Sequence, residues 1–248
     1  MHDVDAVVLA GGIGTRLRPY TFSIPKPLIR LGEQPIIEIL LQQLHSAGVR
    51  RVHVALGHLG DLMQAYLDQT ERRPGLEIRY SLENEPLGTI GPIKLIRELS
   101  ETVLLINGDV LTTLSYPALV AHHRRRGCVA TVAVTRRQLQ MSYGVVDLSP
   151  DARIVGHREK PCVPLDVAMG IYVFQRSIVD RIPAGRRFDV PDLIQSLLAA
   201  GEPIAAYRSS DYWMDIGCAG DYEHAQRDFA ADPDRFLRPC HRSDAATS

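Results

Sequence analysis

The chain has 248 residues, 45% of them hydrophobic and 23% charged, enough to bury a full core as one large domain. Lys and Arg total 28 against 29 Asp and Glu, a formal charge of -1 that excludes a nucleic-acid binder working through a broad basic field. No stretch nears the roughly 20 apolar residues of a membrane span, and the start lacks the basic flank of a secretory leader. Cys128, Cys162, Cys218 and Cys240 follow no metal-ligand spacing, so they read as reduced thiols in a cytoplasmic protein with neither membrane nor nucleic acid as partner.

In chain order, "DAVVLA" (Asp5–Ala10) is a β-branched run closed by glycines, as a buried parallel strand requires. "PIIEILLQQLHSAG" carries a helical stripe at Ile36, Ile37, Leu40, Leu41 and Leu44, with Pro35 at its start and Gly48 past its end. "RRVHVALG" predicts a strand, "LGDLMQAYLDQ" a helix, "LEIRYSL" a strand, "GPIKLIRELS" a helix and "TVLLING" a buried strand. This alternation predicts an α/β fold, a Rossmann-like doubly wound, mostly parallel sheet flanked by helices. After about Gly127, "CVATVAV", "YGVVDL", "RIVGHREK" and "DVAMGIYVF" are strands with few helices between them, so the sheet should become mixed. "DVPDLIQSLLAAG" restores a helix, with Asp189 as N-cap and Pro191 in the first turn. From about Ala231 the chain turns polar and aperiodic, which predicts a partly loose tail over 231–248.

Ligands of open α/β sheets sit beyond the carboxyl ends of the strands. That rule selects Gly11–Lys26, Glu83–Thr89 and Asn107-Gly108-Asp109 as the segments that carry chemistry. In the first, Gly11, Gly12 and Gly14 let backbone approach a ligand closely, while Arg16, Arg18 and Lys26 supply positive charge, a pattern suited to a polyphosphate. Two familiar phosphate loops fail by count. A Walker A loop needs a second glycine five residues on, where Arg16, Leu17 and Pro19 stand instead. The dinucleotide fingerprint fits Gly12 and Gly14 but meets Leu17 at its third glycine, which weakens a dinucleotide-dependent oxidoreductase.

The stretch "LAGGIGTRLRPYTFSIPKPL" resembles the G-G-x-G-T-R-L…P-K-P-L signature of the sugar-1-phosphate nucleotidylyltransferases, and above all their guanylyltransferase branch. "EPLGTIGPI", "NGDVL", "YGVV", "EKP", "MGIY" and "YWMDIG" follow in that family's order, from Leu9 to about Tyr222. The resemblance implies the nucleotide-diphospho-sugar transferase fold and a reaction joining an NTP to a sugar 1-phosphate with release of pyrophosphate. It implies one catalytic domain over 1–230, a nucleotide-binding half over about 1–126 and a sugar-phosphate half over about 127–230. A homodimer is a family-level expectation.

By the same resemblance, Leu9, Ala10, Gly11, Gly12, Gly14, Thr15 and Gly108 contact the nucleotide, Arg16 holds the triphosphate, and Lys26 bridges the reacting phosphates. Asp109, leaving an apolar strand at the sheet edge, and Asp215 in "WMDIG" would hold Mg²⁺, a hard cation usually bound by one or two carboxylates plus substrate phosphates. Lys160 would take the sugar's phosphate and Glu159 its hydroxyls, with Gly144 and Gly170 admitting the ring. Ala168 stands where many members carry an asparagine, so one sugar-hydroxyl contact is expected to be missing. Glu83, Leu87, Gly88 and Thr89 occupy the base-reading positions, where "EPLGT" resembles the guanylyl pattern. GTP is therefore expected, with dTTP, UTP or CTP as alternatives, and a non-catalytic sugar-nucleotide-binding regulator as the remoter one. A sugar phosphate is an anion near neutral pH, its second pKa being about 6. It thus needs relief from repulsion rather than a base, and Arg16, Lys26, Asp109, Lys160 and Asp215 are expected to converge on one cleft.

Overall fold

The β-branched run near the amino terminus becomes an interior strand of a seven-stranded sheet. The structure, a computed structural model, describes residues 1–70 and 73–237. In chain order it forms β1 (Val4–Ala10), the short pair β2 (Arg30–Leu31) and β3 (Gln34–Pro35), α1 (Ile36–Ser46), β4 (Arg51–Leu56), α2 (Gly60–Gln69), β5 (Glu77–Leu82), β6 (Thr102–Asn107) and β7 (Val110–Thr112). Next come α3 (Tyr116–Arg126), β8 (Ala130–Gln140), β9 (Val145–Leu148), β10 (Ile154–Arg158) and β11 (Cys162–Gln175). The chain continues through α4 (Val190–Ala199), β12 (Ile204–Ser209), β13 (Trp213–Asp215), α5 (Ala219–Ala231) and α6 (Asp234–Leu237).

The sheet order is β12-β8-β11-β6-β1-β4-β5. β1 runs parallel to both neighbours, β4 and β6, and every β1 residue except Leu9 is buried, so its carboxyl end opens at the centre of one sheet edge. β11 is antiparallel to β6 and β8, which gives the expected mixed character and brings both halves of the chain into one sheet. One face is covered by α1, α2 and α3, the other by α4 and the apolar residues around Ile93 and Ile178.

Pro35 caps the start of α1, and Gly48, at φ 83°, turns the chain just past its end. The helix buries Ile36, Ile37, Ile39, Leu40, Leu41 and Leu44, each worth roughly 1.5–3 kcal/mol when taken fully out of water. That apolar stripe outweighs any propensity term as the reason this segment is helical. α4 likewise starts with Pro191 in its first turn, and Asp189 at the N-cap receives Asp192 on its own N–H at 2.9 Å.

One expectation is corrected. "GPIKLIRELS" forms only a 3₁₀ helix, Gly91–Leu95, and Ile96 returns to extended geometry. Here the Asp5 carboxylate, buried at the foot of β1, accepts the Ser100 N–H at 2.8 Å, a long-range hold on the start of β6 that a longer helix could not satisfy. In the described part of the tail, α6 places Phe236 in a cluster with Phe229, Ile39 and Leu31. The Tyr212 ring meets Phe236 edge-on at 5.1 Å, and Gln43 of α1 donates to the Phe236 carbonyl at 2.9 Å. Residues 238–248, including Cys240, lie outside the described residues.

β8 and β11 continue past the sheet as an exposed two-stranded arm, and β9 with β10 forms a separate hairpin between them. The β8–β11 register shifts between Ala168 and Tyr172, where Gly170 adopts φ 70°. That bulge turns β11 from the arm into the core sheet.

Candidate active site

A cleft of about 580 Å³ opens at the carboxyl edge, over the ends of β1, β4, β5 and β6. Leu9, Ala10, Gly11, Gly12, Lys26, Glu83, Gly88, Thr89, Gly108 and Asp109 line it, so ten residues selected from sequence share one cavity wall. The glycines are there for space. A Cβ on Gly108 would lie 2.6 Å from the Leu9 carbonyl, and one on Gly11 would lie 2.8 Å from the Glu83 carboxylate. Gly12 has open space beside it. Gly14, at φ 65°, starts the 3₁₀ turn Thr15–Leu17, and Thr21 Oγ1 donates to its carbonyl at 2.7 Å.

Asp109 leaves β6 beside this floor. Its Oδ2 accepts a hydrogen bond from Lys26 Nζ, while its Oδ1 is buried with no partner among the described residues. β7 then pairs antiparallel with β13, setting Asp215 opposite Val110, and the Ile216 N–H donates to the Asp109 carbonyl at 3.0 Å. Two carboxylates from segments a hundred residues apart in sequence thus stand beside one another. Burial pushes the Asp215 carboxyl above its ordinary range and the Asp109 charge adds to that, while Lys26 and Arg16 pull it back. Arg16 reaches the same place: its guanidinium lies 3.6 Å from the position a Gly217 Cβ would occupy.

The pair fits a divalent cation. An orphaned buried carboxylate oxygen and a second carboxyl destabilised by its neighbour are the pattern a hard cation relieves. Among the described residues no group of three or more His, Cys, Asp or Glu forms a cage, so Mg²⁺ held by Asp109 and Asp215 would complete its shell from water and substrate phosphates.

Glu83 closes the far end of the cleft. The Leu87 N–H donates to its Oε2 at 2.9 Å, and burial raises its carboxyl while that bond opposes the rise. Leu87 and Gly88 are set by the segment before α4: the Phe188 N–H donates to the Leu87 carbonyl at 2.8 Å, and a Cβ on Gly88 would meet the Phe188 carbonyl at 2.6 Å. The Thr89 N–H donates to Asp189 Oδ1, and the Val190 N–H to Thr89 Oγ1, both at 2.8 Å.

The sugar-phosphate candidates come from other elements. Gly144, Glu159 and Lys160 lie at the ends of the β9–β10 hairpin, all three exposed. A Cβ on Gly144 would meet His157 at 2.9 Å and Glu159 at 3.0 Å, so these residues crowd one another. Lys160 forms no ion pair among the described residues and has φ 42°, a conformation side chains rarely take. Arg16, Lys26, Asp109 and Asp215 meet at one place, while Lys160 sits two residues before the start of β11. Gly170 does reach the centre, packed against the Asn107 amide. The two regions are linked through Trp213, whose Nε1–H donates to the Met169 carbonyl at 2.7 Å and whose own carbonyl accepts from Arg137 at 2.7 Å.

Sequence reasoning did not select Gly57, His58, Asn84, Asn107 as a side chain, Arg187 or Asp189, all on the cleft wall. Gly57 and His58 follow β4, so the carboxyl-end rule applied to that strand would have found them. Asp189 was accounted for as a helix cap, which hid its second role.

The mixed sheet flanked by helices is the nucleotide-diphospho-sugar transferase fold. The chain belongs to the nucleotidyl transferase family, whose model matches residues 5–232. It is 34% identical over 242 residues to a UTP–glucose-1-phosphate uridylyltransferase of Synechocystis, covering 90% of this chain and 62% of that protein. It is 35% identical over 224 residues to mannose-1-phosphate guanyltransferase beta-B of Xenopus laevis, covering 88% of this chain and again 62% of the relative. The chain thus spans about six tenths of the length of these curated relatives. The crystal structure of HddC from Yersinia pseudotuberculosis superposes with a TM-score of 0.71 at 26% identity, over 91% of this chain and 99% of that one. A second HddC structure, in complex with GMP-PN, gives 0.70 at 25% identity, with 91% and 99% covered.

Proposed function

We propose that this chain is a Mg²⁺-dependent sugar-1-phosphate nucleotidylyltransferase that uses GTP. The observation that carries the reading is the meeting of Lys26, Asp109 and Asp215 at the edge of the glycine-floored cleft. In this reading a phosphate oxygen of the sugar 1-phosphate attacks the α-phosphorus of the nucleotide. The new P–O bond forms in line as the α–β bridging bond breaks, and pyrophosphate leaves with the electron pair. No proton has to move, so the protein's task is positioning and charge balance. Lys26, fixed by Asp109, presents its ammonium to the reacting phosphates, and Arg16 meets the charge that develops on pyrophosphate. Bound Mg²⁺ would supply neutralising charge between the carboxylates and the phosphates. Lys160 and Glu159, on the arm, take the phosphate and hydroxyls of the sugar.

Residues 1–230 are read as one catalytic domain, because the sheet draws strands from both halves. A homodimer and a cytoplasmic location belong to the same reading; no helix among the described residues is long and apolar enough to cross a membrane. GTP is supported by Glu83 at the base end, by the guanylyl relative and by the GMP-PN complex of HddC. The Synechocystis relative favours UTP as the second reading.

The test is a matrix of GTP, ATP, UTP, CTP and dTTP against hexose and heptose 1-phosphates, read as pyrophosphate release. GTP should give the highest kcat/KM with at least one sugar phosphate. A higher value for UTP across the panel would transfer the assignment to the uridylyl reading.

A further inference from the structure

Arg187 is a cleft residue that nothing above uses. It lines the same cavity as Glu83 and is tethered there by one hydrogen bond. Its Nε donates to Asp189 Oδ2 at 3.1 Å, while the other oxygen of that carboxylate holds the Thr89 N–H at 2.8 Å. One carboxylate therefore ties the guanidinium to the backbone of the Glu83–Thr89 segment. Among the described residues the two terminal nitrogens of Arg187 make no hydrogen bond, and its side chain is 73% exposed. The result is a fork held by its inner nitrogen, with two outer donors turned loose at the Glu83–Thr89 end of the cleft.

We propose that Arg187 is a specificity-determining residue that reads the O6/N7 edge of guanine, while Glu83 receives the opposite edge. The proposal rests on the nucleotidylyltransferase reading and deepens it. An arginine fork pairs in bidentate fashion with two adjacent acceptors, and guanine is the base that offers them at O6 and N7. Adenine puts an amino donor beside N7, opposing one arm of the fork, and uracil and thymine present O4 without a second acceptor beside it. Glu83 acts from the other side: guanine N1–H and N2–H₂ are donors that a carboxylate can accept together, whereas uracil and thymine bring one N–H. Acceptor and fork thus demand a base with donors on one edge and paired acceptors on the other. Asp189 is a positioning residue in this arrangement, since it orients the fork and the Thr89 backbone together.

The experiment measures GDP, UDP and ADP binding calorimetrically, and kcat/KM for GTP, UTP and ATP, on the wild-type chain and on Arg187→Ala and Arg187→Lys. Wild type should prefer the guanine nucleotide. Both variants should lose about ten- to a hundredfold in guanine-nucleotide affinity and kcat/KM while UDP and UTP change by less than about threefold. Lysine should rescue little, because it keeps the charge but not the fork. A uniform loss with all three nucleotides, or a raised KM for the sugar phosphate alone, would assign Arg187 to phosphate binding and overturn the proposal while the guanylyl reading stands. Full recovery in Arg187→Lys would also overturn it. No guanine preference in wild type would instead remove the guanylyl reading itself, and this proposal with it.

Discussion

Asp109→Asn and Asp215→Asn should each lower turnover by about a hundredfold or more, the scale of losing one transition-state charge stabiliser. The two variants should differ in stability without metal, which separates them from generic damage. The Asp215 carboxyl is held above its ordinary range by burial and by Asp109, so at neutral pH its charge works against the folded state. Stability lost to that charge returns as pH falls below the raised folded-state value. Neutral Asn at 215 should therefore leave the metal-free chain as stable as wild type or more so at pH 7. Asn at 109 removes the counter-charge of a Lys26 ammonium whose side chain is only 11% exposed, and should cost about 1–3 kcal/mol. Thermal melts in EDTA, alongside initial rates in Mg²⁺, check both halves. Wild-type turnover in either variant would remove that carboxylate from the site.

Phe236→Ala should be among the most destabilising single changes in the chain. The ring is 1% exposed and packs against Tyr212 and Phe229, whose ring centroids lie 5.1 and 5.6 Å away. Truncating a phenylalanine so enclosed costs about 3–5 kcal/mol, because the space left behind collapses only partly. For a chain of this size that corresponds to a fall in Tm of roughly 6–20 °C. The effect should extend to the site, since Tyr212 directly precedes β13, which carries Asp215, and its carbonyl accepts from Thr112 Oγ1 of β7 at 2.8 Å. A Tm within about 2 °C of wild type would show that α6 does not hold this end of the molecule.

The same residue shows where sequence reasoning stops. "ADPDRFLRPCHRSDAATS" has one aromatic in a polar stretch, and nothing local reveals that α1 and Tyr212 leave a gap for it. Legible features were those fixed by short-range physics: the β-branched run of β1, the α1 boundaries at Pro35 and Gly48, and the polar segments that had to follow buried strands. The segment after Gly91 has helical periodicity, but a buried Asp5 carboxylate a hundred residues earlier in sequence holds Ser100 and ends the helix early. Within the site, Lys26, Asp109 and Asp215 were found because their motifs mark them. Arg187 and Asp189 were not, because an acidic residue before a helix is explained by capping, and the contact that reveals more is the long-range one to Thr89. Lys160 is marked by its motif alone, since it is exposed just before β11 and its backbone, at φ 42°, has no sequence signal.

The proposed joining of two repelling anions with help from a cation is tested by stepwise omission. Pyrophosphate release is followed with GTP, an accepted sugar 1-phosphate and Mg²⁺ together, and then with each left out in turn or Mg²⁺ replaced by EDTA. The account requires release in the complete mixture and at most background in every other. Release from GTP and Mg²⁺ without a sugar phosphate would mark hydrolysis, and undiminished release in EDTA would take the cation out of the carboxylate pair; either result contradicts the account.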